Sequence, residues 1–169
     1  MKKILSIAFL ALSLTSFAQS YTLNSTNGTV SFNYVGESTK GTLTGVQAKV
    51  NINSGKLSSS TVSGSVDVST LSTANKTRDQ HLKSPDFFDA AKHPKMSFET
   101  GEVTKDENGY LAKGKLTIKG VTKDVTFAVS EKEGTLLFKA TIYAADFGVS
   151  VKKERETSKV QVLVKIPLN

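Results

Sequence analysis

LAKGKLTIKGVTKDVTFAV, residues 111–129, decides the fold of this chain, because apolar or small residues recur at every second position through most of it. One face of its first half carries Ala112, Gly114, Leu116 and Ile118. Lysine and threonine alternate with them, and Val125, Phe127 and Val129 continue the pattern. A period of two residues is typical of a β-strand with one buried face. The stretch therefore predicts strands of a sheet that is apolar on one side.

The same alternation fills most of the chain from Thr29 onward, in about eight runs. The apolar or small members of the other runs are Val30, Phe32, Tyr34, Leu43, Val46, Ala48, Val50, Ile52, Val62, Gly64, Val66, Val68, Met96, Phe98, Leu136, Phe138, Ala140, Ile142, Val160, Val162, Val164, Ile166 and Leu168. Most connections between runs are short, which makes neighbouring strands antiparallel. The pattern predicts an all-β fold whose sheet either closes as a barrel or folds over as a sandwich.

The interior of such a barrel can be hollow or solid, because eight strands enclose a space that side chains fill or that one small ligand occupies. Several small residues fall on inward positions and leave volume, namely Ala48, Gly64, Ala112, Gly114 and Ala140. Large neighbours such as Phe127 and Phe138 could fill that volume instead, since protein interiors are normally close-packed. The alternation alone does not decide between a hollow and a solid interior.

The first twenty residues, MKKILSIAFLALSLTSFAQS, have the pattern of a secretory signal peptide. Two lysines precede an apolar run that ends at Leu14, and small residues lead up to Ala18. We expect a signal peptide at residues 1–18, one domain at residues 19–169, and a periplasmic or secreted location. The apolar run is too short to span a bilayer.

The composition limits the remaining classes of function. The 169 residues include no cysteine, so disulfides, thiolate metal sites, a cysteine nucleophile and a cysteine-linked lipid anchor are not expected. The formal net charge is +7, but the lysines mostly alternate with apolar residues instead of forming a basic run. We therefore expect no nucleic-acid partner.

One segment, TRDQHLKSPDFFDAAKHP at residues 77–94, interrupts the strands. Ser84 and Pro85 are typical of a helix start, and the following proline at position 94 predicts that this short helix ends near Lys92. A two-turn helix is not stable alone in water, so its adjacent phenylalanines, Phe87 and Phe88, must pack on another part of the protein. The segment is predicted to form a lid over the barrel mouth.

The same segment holds the residues with the most chemical potential. Arg78, Asp79 and His81 lie within four positions, and a histidine oriented by a carboxylate can act as a general base. No nucleophile-elbow motif accompanies them, so we favour hydrogen bonds that hold the lid and expect no catalytic residue. His81 and His93 lack the spacing of a zinc motif, so neither a metal nor a cofactor is expected.

Two stretches resemble the signatures of the YceI-like polyisoprenoid-binding family. TRDQHLKSPDFFDAAKHPKMSF, residues 77–98, is similar to its R-D-x-H-L and D-F-F-D signature, and GKLTIKGVTKDVTF, residues 114–127, is similar to its G-x-L-T-I-x-G-V-T-x-x-V signature. Asp146-Phe147-Gly148 falls where the family has a comparable turn, whereas Val35-Gly36 stands where members commonly carry a histidine. The resemblance covers essentially the whole predicted domain.

The resemblance implies an antiparallel eight-stranded lipocalin-like barrel with a short helical segment at its mouth. It further implies an apolar cavity that holds a long isoprenoid, such as an isoprenoid quinone or a polyprenyl phosphate, or a similar lipid. On this interpretation the ligand-binding residues are Phe32, Tyr34, Val66, Val68, Phe87, Phe88, Met96, Phe98, Leu116, Ile118, Phe127, Phe138, Ile142, Val162 and Val164. Family membership implies no enzyme activity.

Two other functions remain as alternatives. One is an exported enzyme that uses His81 and Asp79, and the other is a packed barrel with a stress-response or adhesion role, whose basic surface meets an anionic partner. For the lipid-binding protein we expect no stable membrane anchor, and a homodimer stays open. Transport, storage and stress response are equally compatible with it.

Overall fold

The computed structural model describes residues 20–107, 109–150 and 154–168. Within them, antiparallel strands form a closed barrel in chain order. The strands are β1 Tyr21–Tyr34, β2 Thr39–Ile52, β3 Thr61–Asp67, β4 Lys95–Asp106, β5 Gly109–Ile118, β6 Val121–Lys132, β7 Thr135–Tyr143 and β8 Lys159–Pro167. The predicted eight-stranded antiparallel barrel is confirmed, and the sandwich is not formed. The predicted signal peptide, residues 1–18, lies outside the described residues.

Closure depends on β1, which pairs with a strand on each side. Val30 lies opposite Leu43 of β2 and also opposite Val164 of β8. All three residues are on inward positions, so the apolar face of the sheet continues across the closure. A closed sheet has no free edge on which another chain could add a strand.

β1 is longer than the alternation predicted, since it begins at Tyr21 instead of Thr29. Its register with β2 shifts between Ser25 and Thr29, where Gly45 of β2, with φ of 72°, is an extra residue. Such a bulge breaks the two-residue period locally. It also explains why Leu43 and Val46, three positions apart, are both buried.

The third run was predicted to continue through Val68, and this is wrong at its end. β3 stops at Asp67, and Val68–Thr70 form a single turn of 3-10 helix. The amide of Val68 donates to the carbonyl of Pro94 over 2.8 Å, so this residue bonds to the segment before β4 instead of extending the strand.

The short helix at the mouth exists, but its predicted start at Ser84 and its predicted end near Lys92 are both wrong. Helix α1 spans Lys76–Lys83, and the side chain of Asn75 caps it by accepting from the amide of Arg78 over 3.0 Å. Ser84 ends the helix, and its buried hydroxyl has no hydrogen-bond partner among the described residues. Its extended backbone fits the restriction that the following proline imposes. Residues 85–88 and 90–92 form turns.

The interior is solid at the end of the barrel away from α1. Six inward side chains there are at most 4% exposed; we call them the packed half, and they are Ile52, Val103, Tyr110, Ala112, Val129 and Leu136. They come from β2, β4, β5, β6 and β7, so they close this end from most sides. The opposite end of the interior, beneath α1, is built differently.

Candidate ligand-binding cavity

A cavity of about 360 Å³ occupies the other half of the barrel, which we call the hollow half. Pockets that hold a single ligand are typically ~300–1,000 Å³. Fourteen of the fifteen predicted binding residues line this cavity: Phe32, Tyr34, Val66, Phe87, Phe88, Met96, Phe98, Leu116, Ile118, Phe127, Phe138, Ile142, Val162 and Val164. Val68 is the exception, because the 3-10 turn buries it outside the cavity wall.

The prediction missed other apolar residues of the wall, although most of them lie on the same alternating faces. They are Val30, Leu43, Val46, Ala48, Val50, Val62, Gly64, Leu71, Leu82, Ala144, Phe147, Val149, Val160 and Ile166. Phe147, which is 1% exposed, belongs to the Asp-Phe-Gly stretch noted in the sequence. That motif was a signal for a wall residue, whereas Leu71 and Leu82 carried no comparable one.

Two of the five predicted small residues, Ala48 and Gly64, contribute to the cavity. They lie opposite each other on β2 and β3, and a Cβ added to Gly64 would meet the Gln47 carbonyl oxygen at 3.3 Å and the Ala48 Cβ at 3.9 Å. The pair therefore leaves a recess in the wall. Ala112, Gly114 and Ala140 do not line the cavity.

Polar residues line the cavity mainly at its lid end. Glu37, Arg78 and His81 belong to the connections above the strands, and Ser150 follows β7. The hydroxyl of Tyr34 lies 3.1 Å from that of Ser150. The wall below is predominantly apolar, so the cavity matches an amphiphile with its polar group at the mouth.

Residues 72–94 form the lid, and two sets of bonds attach it to the barrel. Backbone bonds of 2.8 and 2.9 Å join Ser72 to Thr42 of β2. On the far side, the Nζ of Lys119 donates to the carbonyls of Pro85 and Gly148 over 3.1 and 3.3 Å. Phe87 and Phe88 face the cavity from this lid, as predicted.

The Arg78, Asp79 and His81 group serves mainly to order the lid. Asp79 Oδ1 accepts from the amide and hydroxyl of Thr73 over 2.7 and 2.6 Å, and Arg78 donates from Nε to the same hydroxyl over 2.8 Å. The ring of His81 packs edge-on against Phe87, with centroids 4.8 Å apart. Asp79 and His81 are therefore held by different partners.

The pKa of Asp79 also fits a structural role for this group. The hydroxyl bond from Thr73 is the main reason that the pKa of the Asp79 carboxyl lies below its usual value. A general base works best with a pKa near the working pH, so this carboxylate is poorly suited to proton abstraction.

A larger concavity of about 1,090 Å³ lies on the outer wall of the barrel. Much of its lining is outward-facing and polar, with Asn33, Lys139 and Gln161 as examples. The inner cavity is the better candidate, because its walls are apolar and its polar groups converge at one end.

In the described part of the chain, no helix is long and apolar enough to cross a membrane.

Comparison with known proteins gives a match over the whole barrel. A family model described as YceI-like domain matches residues 21–169. A UPF0312 protein of Yersinia pestis (strain Pestoides F) is 41% identical over 61 residues, which is 36% of this chain and 32% of that protein. A UPF0312 protein of Photorhabdus laumondii is 39% identical over 64 residues, 38% of this chain and 33% of that protein. These matches span about a third of the relatives' length.

Solved structures share the fold. Burkholderia cenocepacia BcnA has a TM-score of 0.67 at 22% identity, covering 83% of this chain and 94% of that one. A Campylobacter jejuni YCEI protein has a TM-score of 0.61 at 24% identity, with coverages of 76% and 82%. A polyisoprenoid binding domain from Saccharophagus degradans has a TM-score of 0.52 at 14% identity, with coverages of 87% and 98%. Identities this low establish the shared barrel fold alone.

Proposed function

We propose, from the premise that this chain belongs to the YceI-like family, that it binds an isoprenoid or similar lipid in the hollow half of its barrel. The observation that carries the proposal is the cavity of about 360 Å³, apolar along its walls and polar at its mouth. A structural neighbour is named for binding a polyisoprenoid, which agrees with this class of ligand.

The apolar wall supplies the affinity. Each methylene that leaves water contributes about 0.8 kcal/mol, so an isoprenoid tail gains free energy with every carbon that enters the cavity. The fourteen predicted wall residues would contact this tail. Phe87 and Phe88 of the lid would cover it.

The mouth supplies the contacts for a polar headgroup, such as a quinone oxygen or a phosphate. Arg78 lines the cavity, and its bonds to Thr73 use Nε and Nη2. A guanidinium has five N–H donors, so donors of Arg78 remain for a headgroup oxygen. A charge-assisted hydrogen bond of this kind mainly fixes the orientation of the ligand. The buried apolar surface supplies most of the binding free energy.

The proposed setting is the periplasm or the cell exterior. Residues 1–18 would direct export as a signal peptide, since they combine two lysines, an apolar run and a small-residue site. A soluble barrel that shields an isoprenoid from water fits transport, storage or protection under stress.

Mass spectrometry of an organic extract from the purified full chain tests the proposal. We expect a lipid near one equivalent in the wild type, and clearly less in Ala48→Leu, which fills the recess beside Gly64. Lys49→Leu adds the same side chain on the exposed outer face and should keep the lipid. The proposal is refuted if no lipid copurifies and added farnesol does not bind the wild type, or if Ala48→Leu and Lys49→Leu bind it equally well.

A further inference from the structure

The charges of the strands are distributed unevenly around the barrel. The strands β7, β8, β1 and β2 are neighbours in the sheet, and the structure describes all of their residues. They contain no aspartate or glutamate, and they carry five lysines: Lys40, Lys49, Lys139, Lys159 and Lys165. Strands β3 to β6 carry six lysines and six acidic residues, so their formal charges cancel. We call the outer wall of β7, β8, β1 and β2 the basic side, and the opposite outer wall the balanced side.

The two sides also differ in how their lysines are paired. On the balanced side, the Nζ of Lys95 lies 3.5 Å from a carboxylate oxygen of Asp67, and that of Lys115 lies 2.7 Å from one of Asp124. Among the described residues, none of the five lysines of the basic side forms an ion pair. Four of them are exposed, and Lys159 is half-buried. An anion that binds on this side therefore gains attraction from lysines that have no acidic neighbour to compete with it.

The outer concavity of about 1,090 Å³ lies on the basic side. Lys40 of β2 and Lys139 of β7 line it, and its described lining contains no acidic residue. Three strand spacings separate these two lysines, which amounts to about 14 Å at about 4.8 Å each. At the edge next to the lid, Arg78 and Asp79 both bond to Thr73, so their charges offset each other. The concavity therefore presents positive charge at two separate points.

Hydroxyl and amide side chains lie between the two lysines. In the register of the strands, Lys40 is opposite Asn33, Asn33 is opposite Gln161, and Gln161 is opposite Thr141. The Nδ2 of Asn33 donates to the Oε1 of Gln161 over 3.2 Å. An amide side chain has two N–H donors and an accepting oxygen, so both residues keep groups for a further partner. Such groups match sugar hydroxyls, whereas an ammonium matches a carboxylate or a sulfate.

Shape and lining distinguish between the possible anionic partners. Clusters of basic residues are typical of sites for nucleic acids and for heparin-like polysaccharides. Single-stranded nucleic acids bind by stacking bases on aromatic rings. The one aromatic residue in the described lining is Phe32, which is an inward residue of the cavity wall. A bilayer surface is too flat to enter a concavity, whereas a single polysaccharide chain is narrow enough to lie along it.

We infer that the basic side is a docking surface for an anionic polysaccharide. Lys40 and Lys139 bind its carboxylate or sulfate groups, and Asn33 and Gln161 bind its hydroxyls. This site is separate from the lipid cavity, because it uses the outer face of strands whose inner face forms the cavity wall. Binding should weaken as salt is added, since exposed charges are screened beyond about 10 Å at 0.1 M ionic strength.

Isothermal titration calorimetry of the full chain tests the inference with polygalacturonate, which carries carboxylates, and with heparin, which also carries sulfates. Uncharged dextran is the control ligand. We expect at least one of the two anionic chains to bind, and Lys40→Gln/Lys139→Gln to weaken its Kd by about tenfold. Lys95→Gln/Lys115→Gln removes the same charge from the balanced side and should stay within about twofold of the wild type. The inference is overturned if neither anionic chain binds, if dextran binds equally well, or if both double variants lose the same affinity.

A membrane surface is the rival partner, and vesicles of phosphatidylglycerol test it by cosedimentation. The polysaccharide assignment is wrong if these vesicles bind the wild type more tightly than either anionic chain does and lose that binding in Lys40→Gln/Lys139→Gln. Both double variants change only the outer face, so each should keep the lipid content of the wild type in an organic extract. A failure of polysaccharide binding with that lipid retained removes the docking surface and leaves the proposed function standing.

Discussion

The packed half and the hollow half are built from the same strands with the same alternation, yet one is filled and the other encloses a cavity. Side-chain size does not explain the difference. The packed half includes Ala112 and Val129, whereas the cavity wall carries Met96, Phe98 and Phe127. Large and small side chains therefore occur in both halves, since the packed half also holds Tyr110 and the cavity wall also holds Ala48.

The backbone path differs between the packed half and the hollow half. A bulge at Gly45 faces β1, and a second one at Gly101 faces β5. A Cβ on Gly114 would collide with the Glu99 carbonyl oxygen of β4, so the two backbones approach closely beside Ala112 of the packed half. Bulges bend and twist strands. The comparison teaches that the close approach of β4 to Gly114 takes up the space that this small residue would otherwise leave, whereas the small pair Ala48 and Gly64 leaves a recess in the hollow half.

The largest expected effect is a difference between two leucine truncations. Leu136→Ala in the packed half should lower the free energy of unfolding by about 4–5 kcal/mol, because it leaves a new void. Leu116→Ala in the cavity wall should lower it by about 2–3 kcal/mol, because this side chain already borders open space and the cavity term is smaller. The two leucines are 0% and 9% exposed, so the two variants are matched in residue type and are similar in burial. Urea unfolding of both variants measures the difference, and equal losses would remove the distinction between the halves.

Glycine substitutions should give a smaller contrast. Gly28→Ala on β1 should cost about 1–3 kcal/mol, because its Cβ would press on Val46 and Ile166. Gly64→Ala faces the cavity, and the Gln47 oxygen at 3.3 Å is its nearest neighbour, so stability should stay within about 0.5 kcal/mol of the wild type. Thermal and urea unfolding measure both. A loss above about 2 kcal/mol for Gly64→Ala would show that the wall at Gly64 is packed as tightly as the backbone at Gly28.

Much of the fold could be predicted because the two-residue period reports which face of a strand is buried. That period accounts for twelve of the fourteen predicted wall residues, from Phe32 on β1 to Val164 on β8, whereas Phe87 and Phe88 lie in the lid. It failed at Val68, because it does not show where a strand turns away from the wall. It also hid the start of β1, where the bulge opposite Gly45 interrupts the alternation.

The division of the interior could not be predicted from the residues. Ala112 and Gly114 were expected to leave space, but the shifted register near Gly101 brings the backbone of β4 against Gly114. The helix was placed too late for a different reason. Its cap is Asn75, and Pro85 ends it by keeping Ser84 extended, whereas Ser84 and Pro85 alone resemble a helix start. A contact between strands decided the first outcome, whereas residues next to the helix in sequence decided the second.

The smallest expected effect is a pH dependence that arises in the packed half. Burial raises the pKa of Tyr110 above its ordinary value of 10.0. The unfolded chain then releases this proton at a lower pH than the folded protein does, so the free energy of unfolding should fall as pH rises beyond 10.0. Below that pH both states keep the proton, and this contribution to stability is fully present.

Tyr110→Phe should lessen this alkaline loss, because the buried phenol is gone. Part of the loss should persist, since burial, aided by the negative charge of Glu131, also raises the pKa of Tyr21. Urea unfolding of the wild type and of Tyr110→Phe, at neutral pH and above pH 10.0, measures how steeply the free energy of unfolding falls with pH in each protein. An identical slope in both proteins would mean that Tyr110 titrates alike in the folded and unfolded chain. The end of the barrel away from the lid would then admit water, and the packed half would not be the dry part of the interior.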